Sequence, residues 1–435
     1  MISLPSAEEA LPLALQFKLL QSEKTPTALQ TSLQSKSIQS ILAHALSSVP
    51  YYQQHPKIRS MNGNIEWNKF PILTRKELQA NEELLISKNP PKNHGKHFDF
   101  RSSGSTGRPV HTWTTEYAQF FWRAFTMRDH LWAKRDLTAS LAAIKFLADG
   151  KALYPGQTSN NWGLSTAILG YSAPAMLLNS SEPVERQYQW LVEHQPKYLV
   201  TYPSTLQELA KIQIREQKLN SLHNISTLGE TLPPFVRTLV MEAFNCKIHD
   251  IYSSQEIGYI ALQCPLYDHY HIQLENCMVE ILDDNNQPCT PGQVGRVIVT
   301  SLQNYLMPLI RYEIGDYAIP GKKCDCGINL PVLERIIGRS RNLVSYPNGD
   351  KSWPAYNPMA LMNLFPLARF QIEQLSVEEL RLNIEAPDTP TSEQCRQAEE
   401  IIQKAIGYPF KVTLHLVNNV PRAPSGKFEE FVSRI

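Results

Sequence analysis

The 435-residue sequence has no apolar run approaching the roughly 18 residues of a membrane-spanning helix. Its opening stretch, MISLPSAEEALPLALQ, lacks the basic start and long apolar core of a secretory signal. A cytoplasmic location with no membrane partner is therefore expected. Charge of one sign is missing as well: 42 Lys and Arg stand against 41 Asp and Glu, a balance with no strong field, so no nucleic-acid partner is expected. Cysteine is scarce and odd in number, seven in all, which argues against a disulfide framework and leaves metal binding or burial. Internal repeats and low-complexity tracts are also lacking. What remains, 42% hydrophobic and 19% charged residues, is a globular composition, and 435 residues exceed what one core organises, so two or three domains are expected.

Ile38, Ile41, Leu42, Ala45 and Val49 recur at helical spacing over residues 37 to 49, with Pro50 as the stop, and predict a scaffold helix. From about 185 to 260, helix-like segments alternate with the short apolar runs KYLVT, NISTL and KIHDIY, the signature of a parallel α/β sheet. A polar cluster follows each run: Tyr202-Pro203-Ser204, Gly229-Glu230-Thr231 and Ser253-Ser254-Gln255-Glu256. Open α/β sheets bind ligands beyond the carboxyl ends of their strands, so the three clusters are predicted to share one crevice. MVEIL and RVIVT flank a loop rich in turn residues and read as antiparallel strands. After Gly338, FQIEQL, ELRLNIE, a helix over 391 to 406 stopped by Gly407, and FKVTLHLV predict a small α+β domain.

Ser102-Ser103-Gly104-Ser105-Thr106-Gly107, followed by Arg108 and Pro109, combines glycines that let backbone N–H groups turn toward a phosphate with hydroxyls that add donors. Alone it is equally a Ser/Gly-rich surface loop. It is followed in order by GET at 229 to 231, YSSQE at 252 to 256, RYEIGD at 311 to 316, GRS at 338 to 340 and PRAPSGK at 421 to 427. This series resembles the signatures of the acyl-adenylate-forming (AMP-binding) superfamily, with Arg108 where the family usually carries lysine. Chain length, FPILTRKEL near residue 70 and Cys-Asp-Cys-Gly before the GR motif bring the likeness nearest to the phenylacetate:CoA ligase group. It runs from about residue 38 to 428, is looser over 110 to 195, and no P-loop or dinucleotide motif competes with it.

The resemblance implies an α/β fold with a large, multi-subdomain adenylate-forming domain of mixed sheets over residues 1–338 and a small, mobile α+β domain over 339–435. It implies ATP and Mg²⁺ as cofactors and a carboxylic acid, aromatic by likeness, activated as an acyl-AMP. Asp316 resembles the family's ribose-binding aspartate, and Arg339 an arginine that also reaches the ribose. Glu256 resembles the glutamate that meets Mg²⁺ and the phosphates, a role suited to a hard carboxylate oxygen. Tyr252 would lie against the adenine, with Gly229 and Glu230 around it. Ser102 to Arg108 would hold the phosphates. Lys427 resembles the catalytic lysine placed between carboxylate and α-phosphate.

The acceptor stays open. CoA is the first expectation, with transfer to an amine or a carrier-protein thiol as the alternative and a non-catalytic nucleotide-binding protein as a third. Arg341-Asn342 stands where the family's hinge usually has an acidic residue, and SYPNGDKSWP lacks the glycine-rich opening of CoA-using relatives. The acid pocket is scattered through 110 to 260 without a readable motif; Phe120, Phe121 and Trp122 either line it or pack a helix.

Cys264, His271, Cys324 and Cys326 form a further set, with six residues between the first pair and one between the last. Three thiolates and an imidazole suit tetrahedral Zn²⁺ in a closed structural site, which some members of the resembled family carry. His269 competes with His271; His271 is favoured because it begins the strand-like HIQLE. Cys246, Cys277, Cys289 and Cys395 have no partner at metal spacing and read as structural.

Overall fold

The structure is a computed structural model describing all residues except 1–6, 62, 64, 102–109, 148–149, 168–171, 340–341, 353, 355–357, 366–367, 387 and 422–427. The chain folds as two compact units, Met1–Ile337 and Gly338–Ile435. In the first, the strands in chain order are β1 (His97–Arg101), β2 (His111–Thr115), β3 (Leu141–Lys145), β4 (Gln157–Ser159), β5 (Ala175–Asn179), β6 (Tyr198–Thr201) and β7 (Asn224–Leu228). They continue with β8 (Lys247–Ser254), β9 (Gly258–Gln263), β10 (Tyr270–Ile272), β11 (Cys277–Leu282), β12 (Gly295–Ser301), β13 (Tyr312–Pro320) and β14 (Val332–Arg339). β1 and β2 form a separate antiparallel pair, and β3 to β14 make one twelve-stranded sheet in the order β11-β12-β13-β14-β10-β9-β8-β7-β6-β3-β5-β4.

The expected α/β class is the observed one. β5, β3, β6, β7 and β8 run parallel because each is reached through a helical crossover, and helices Val184–His194, Pro203–Glu216 and Pro234–Phe244 follow β5, β6 and β7. Trp190, Leu206 and Val236 from those helices meet Ile144, Leu178 and Ile225 from the strands in one core. Helix Glu116–Trp132 packs elsewhere, with Phe121 and Phe125 against Ile251 and Tyr259. The other half of the sheet is antiparallel and encloses a core of its own, in which Tyr252, Ile260 and Tyr270 meet Val297, Tyr312 and Leu333. Elements far apart in strand order meet there, so this half of the sheet curls.

The helix expected over 37 to 49 extends back to Thr27 and ends at Ser48. Its first turns are mostly polar, with Leu29 and Leu33 exposed rather than packed, while Ile41 and Ala45 are buried as the pattern required. In the second unit, strands Arg369–Gln374, Glu379–Glu385, Lys411–Leu416 and Phe431–Ser433 form a four-stranded sheet. Helix Ser392–Ile406 covers it through Ala398, Ile402 and Ile406; Thr391 and Gln394 form a capping box, and Gly407 closes the helix at φ +75°. Among the described residues no helix is long and apolar enough to cross a membrane.

Candidate active site

β13 and β8 are separated in the sheet by β14, β10 and β9, yet their side chains meet. The Tyr252 hydroxyl donates to Asp316 Oδ2 at 2.8 Å, and both residues are buried. Each lies at an interruption of its ladder. Opposite β12, the register passes from Ile298↔Glu313 to Arg296↔Tyr317, so Ile314, Gly315 and Asp316 face a single residue. This bulge depends on Gly315 at φ +87°, a left-handed conformation that a side chain would strain. β8 shifts register against β9 between Tyr252 and Ser253. Bulges re-aim side chains, and here two of them turn a tyrosine and an aspartate onto each other.

Glu256 occupies the turn between β8 and β9. Arg75 Nη1 lies 3.6 Å from its Oε1, with the glutamate side chain only 7% exposed. The FPILTRKEL segment brings Arg75 there by two devices. Leu73 bridges to Tyr312 alongside β13, its N–H donating to the Arg311 carbonyl and its carbonyl accepting from Glu313 N–H. Thr74 then caps helix Arg75–Ala80 in a capping box with Glu77, fixing Arg75 in the first turn. Sequence reasoning used this segment only as a family likeness and missed Arg75; the T-x-x-E capping pattern was the available signal.

A cleft beside Glu256 is lined by Thr112, Trp113 and Thr114 of β2, by Gln119 and Trp122 of helix Glu116–Trp132, and by Gly258. The Ser/Gly-rich segment lies in the chain between β1 and β2, whose pairing runs as far as Arg101↔His111. Ser102, Ser103, Gly104, Ser105, Thr106, Gly107 and Arg108 themselves lie outside the described residues, as does Lys427. The aromatic triplet divides: Phe121 packs into the core beside Phe125, whereas Trp122 faces the cleft against Tyr259.

Gly229 follows β7 at φ +79°, and the Glu230 carboxylate accepts from Ser204 N–H at 2.9 Å and from Ser204 Oγ at 3.1 Å. Two of the three predicted strand-end clusters are thus linked directly, and Glu230 caps the start of helix Pro203–Glu216 as an acidic group favours. Arg339 ends β14, its N–H donating to Asn342 Oδ1 at 3.1 Å.

Cys264, His271, Cys324 and Cys326 come together, with their ligand atoms all within 4.8 Å of one another. Cys264 Sγ is 3.9 Å from Cys324 Sγ, and Cys326 Sγ is 3.3 Å from His271 Nε2. Tetrahedral zinc requires such neighbours at about 3.5 to 3.8 Å, given Zn–S near 2.3 Å and Zn–N near 2.0 Å. His271 Nδ1 lies 3.1 Å from the Leu330 carbonyl oxygen, which can only accept; the proton therefore sits on Nδ1 and Nε2 is left as ligand atom. Burial pulls this imidazole down to about 4, so it is neutral near pH 7. Burial pushes the three thiols up, opposed by backbone N–H groups: Cys326 N–H donates to Cys324 Sγ and Ile328 N–H to Cys326 Sγ. His269 is not one of the four; it stacks on Tyr267 and meets His271 edge-on. Cys246 and Cys277 are buried free thiols, and Cys289 and Cys395 are partly exposed.

No family model matches the chain. The phenylacetate-coenzyme A ligase of Thermus thermophilus is 23% identical over 453 residues, covering 93% of this chain and 96% of that protein. The protein of the same name from Escherichia coli K12 is 22% identical over 428 residues, covering 90% and 92%. A solved structure of 2-hydroxyisobutyryl-CoA ligase, in the postadenylation state in complex with R3-HIB-AMP, superposes with a TM-score of 0.71 at 20% identity, covering 95% of this chain and 91% of that one. Relatives and fold agree: the chain is similar along nearly its whole length to two phenylacetate-coenzyme A ligases and shares the fold of a solved 2-hydroxyisobutyryl-CoA ligase.

Proposed function

We propose that the chain is an ATP-dependent adenylate-forming ligase that joins a carboxylic acid to AMP and then transfers the acyl group to a thiol, CoA before others. The observation that carries this reading is the meeting of Tyr252 with Asp316 from distant strands, with Glu256 on the turn that follows β8 and lining a cleft with β2. In the first half-reaction a carboxylate oxygen bonds to the α-phosphorus of ATP and pyrophosphate leaves. In the second, a thiolate attacks the acyl carbonyl and AMP leaves.

Asp316 accepts from the ribose hydroxyls, which Arg339 also reaches, while Tyr252 lies against the adenine with Gly229 and Glu230 framing it. The segment from Ser102 to Arg108 holds the phosphates. Bound Mg²⁺ would neutralise phosphoryl charge, with Glu256 as its carboxylate contact. Lys427 stabilises charge in the pentavalent transition state, where fixed donors are worth most. Transfer to an amine or carrier-protein thiol is the second reading, favoured by Arg341-Asn342 at the expected hinge and the missing glycines of SYPNGDKSWP. The four-residue Cys/His cluster holds a structural Zn²⁺ in this reading, and the location is cytoplasmic. ATP–pyrophosphate exchange screened over aromatic, fatty and amino acids tests the first half-reaction, and exchange with none of them would overturn it. Trapping the acceptor with CoA then separates the first reading from the second.

A further inference from the structure

Side chains alternate along a strand, so Leu141, Ala143 and Lys145 of β3 share one face. Leu141 packs there with Trp162, Tyr198 and Val200, and His130 of helix Glu116–Trp132 meets Trp162 edge-on with centroids 5.1 Å apart. That helix therefore lies over this face. Farther toward the carboxyl ends the packing opens: Ala143, Lys145, Val200, Leu228 and Ser253 stay partly exposed beside buried Ala142, Ile144, Leu199 and Thr227. Across from them Arg123 and Thr126, on the helical stripe of His130, are partly exposed too, and Thr126 Oγ1 is 3.0 Å from Tyr259 Oη. These half-covered residues on facing elements form one strip that runs from beside Trp122 to the end of β3.

Lys145 stands at the far end of it. Among the described residues its ammonium has no hydrogen-bond or ion-pair partner, and burial draws the group below the ordinary lysine range with no carboxylate opposing the shift. A half-buried lysine with no partner among the described residues loses hydration without gaining a countercharge, and such residues persist where a ligand supplies one. The place is held firmly: Lys145 O accepts from Ser180 N–H at 3.0 Å, and the next residue, Phe146, donates its N–H to Tyr202 Oη at 3.1 Å.

We propose that the acyl group lies along this strip and that Lys145 binds a second anionic group on the acid, so that the preferred substrates are dicarboxylic or otherwise doubly acidic. The inference rests on the adenylation reading. The reacting carboxylate belongs beside Glu256, which follows β8, and β3 lies three strands away, roughly 14 Å at the usual strand spacing. Lys145 is thus too remote for the reacting carboxylate and well placed for the opposite end of an aryl-sized acid.

Pyrophosphate exchange is measured with phenylacetate against 4-carboxyphenylacetate and with hexanoate against adipate, using the full chain and its Lys145→Met and Lys145→Arg variants. The parent is expected to favour one diacid over its partner at least tenfold in kcat/KM; Lys145→Met reverses that preference, Lys145→Arg keeps most of it, and the KM for ATP is unchanged in both. A parent preferring both monoacids, or a Lys145→Met ratio equal to the parent's, overturns the assignment. So does a rise in the KM for ATP that is the same for every acid, because Lys145 would then serve the phosphates. Calorimetric binding of the same acids with a non-hydrolysable ATP analogue separates the two readings. Diacid binding lost in Lys145→Met, without exchange in the parent, refutes adenylation and keeps the anion site; binding indifferent to the second charge refutes the site. Lys145→Met is expected to melt no lower than the parent, and a clear fall would show that the lysine has a structural partner and overturn the proposal.

Discussion

Tyr252 spends its hydroxyl proton on Asp316, which orients the carboxylate that the proposed function assigns to the ribose. Tyr252→Phe removes one hydrogen bond worth about 0.5 to 1.5 kcal/mol, so the KM for ATP should rise roughly two- to tenfold while kcat holds. Asp316→Ala should raise it further, because ribose contacts exist in the ground state as well; a normal KM in folded Asp316→Ala would sink the assignment. Gly315→Ala has open space around the added carbon but must adopt φ +87°, at a cost of about 1 to 2 kcal/mol. It should lower Tm and weaken ATP use together, and an unaltered variant would show that the bulge does not aim Asp316. Asp316, Tyr252 and Glu256 could be singled out as candidates because their motifs are local strings. Arg75 was not, since its approach to Glu256 depends on Leu73 bridging Tyr312, more than two hundred residues later in the chain.

At the scale of elements, the Cys/His cluster ties the turn after β9 and strand β10 to the segment between β13 and β14. β10 is only three residues long, Tyr270–Ile272, and pairs with β9 on one side and β14 on the other. So short a strand gains little from its own ladder, which gives a cross-link at its centre a structural purpose. Metal analysis should find about one Zn²⁺ per chain, and chelation should lower Tm without altering the chemical step directly. Cys324→Ser should lower Tm more than Cys395→Ser, whose thiol belongs to helix Ser392–Ile406 and is not one of the four clustered ligands. Protein that is metal-free, fully active and equally stable would refute the zinc. NISTL read from the sequence is β7 residue for residue, and KIHDIY is β8 short of its last two residues. The pairing of β10 with β14 was not readable, because no local pattern says which distant strand a short strand will choose as its second neighbour.

At the scale of the molecule, the two units have separate cores. Leu380, Leu382, Ile402 and Phe410 pack within Gly338–Ile435, whereas Tyr252 and Asp316 belong to Met1–Ile337. In the proposed function the nucleotide is held mainly by the first unit and the transition state is stabilised by Lys427 of the second, so binding and chemistry divide along the chain. Lys427→Ala should therefore lower pyrophosphate exchange at least a hundredfold while ATP binding persists, since a charge that acts mainly on the transition state affects rate and not ground-state affinity. A fragment ending at Arg339, chosen to leave β14 whole, should give the same result more severely: ATP retained, exchange abolished. Binding in that fragment is read by calorimetry and its folding by a single melting transition. Exchange persisting in the folded fragment would refute Lys427 as the catalytic lysine. Loss of ATP binding in the fragment, with binding intact in Lys427→Ala, would instead assign a large part of the nucleotide site to the second unit.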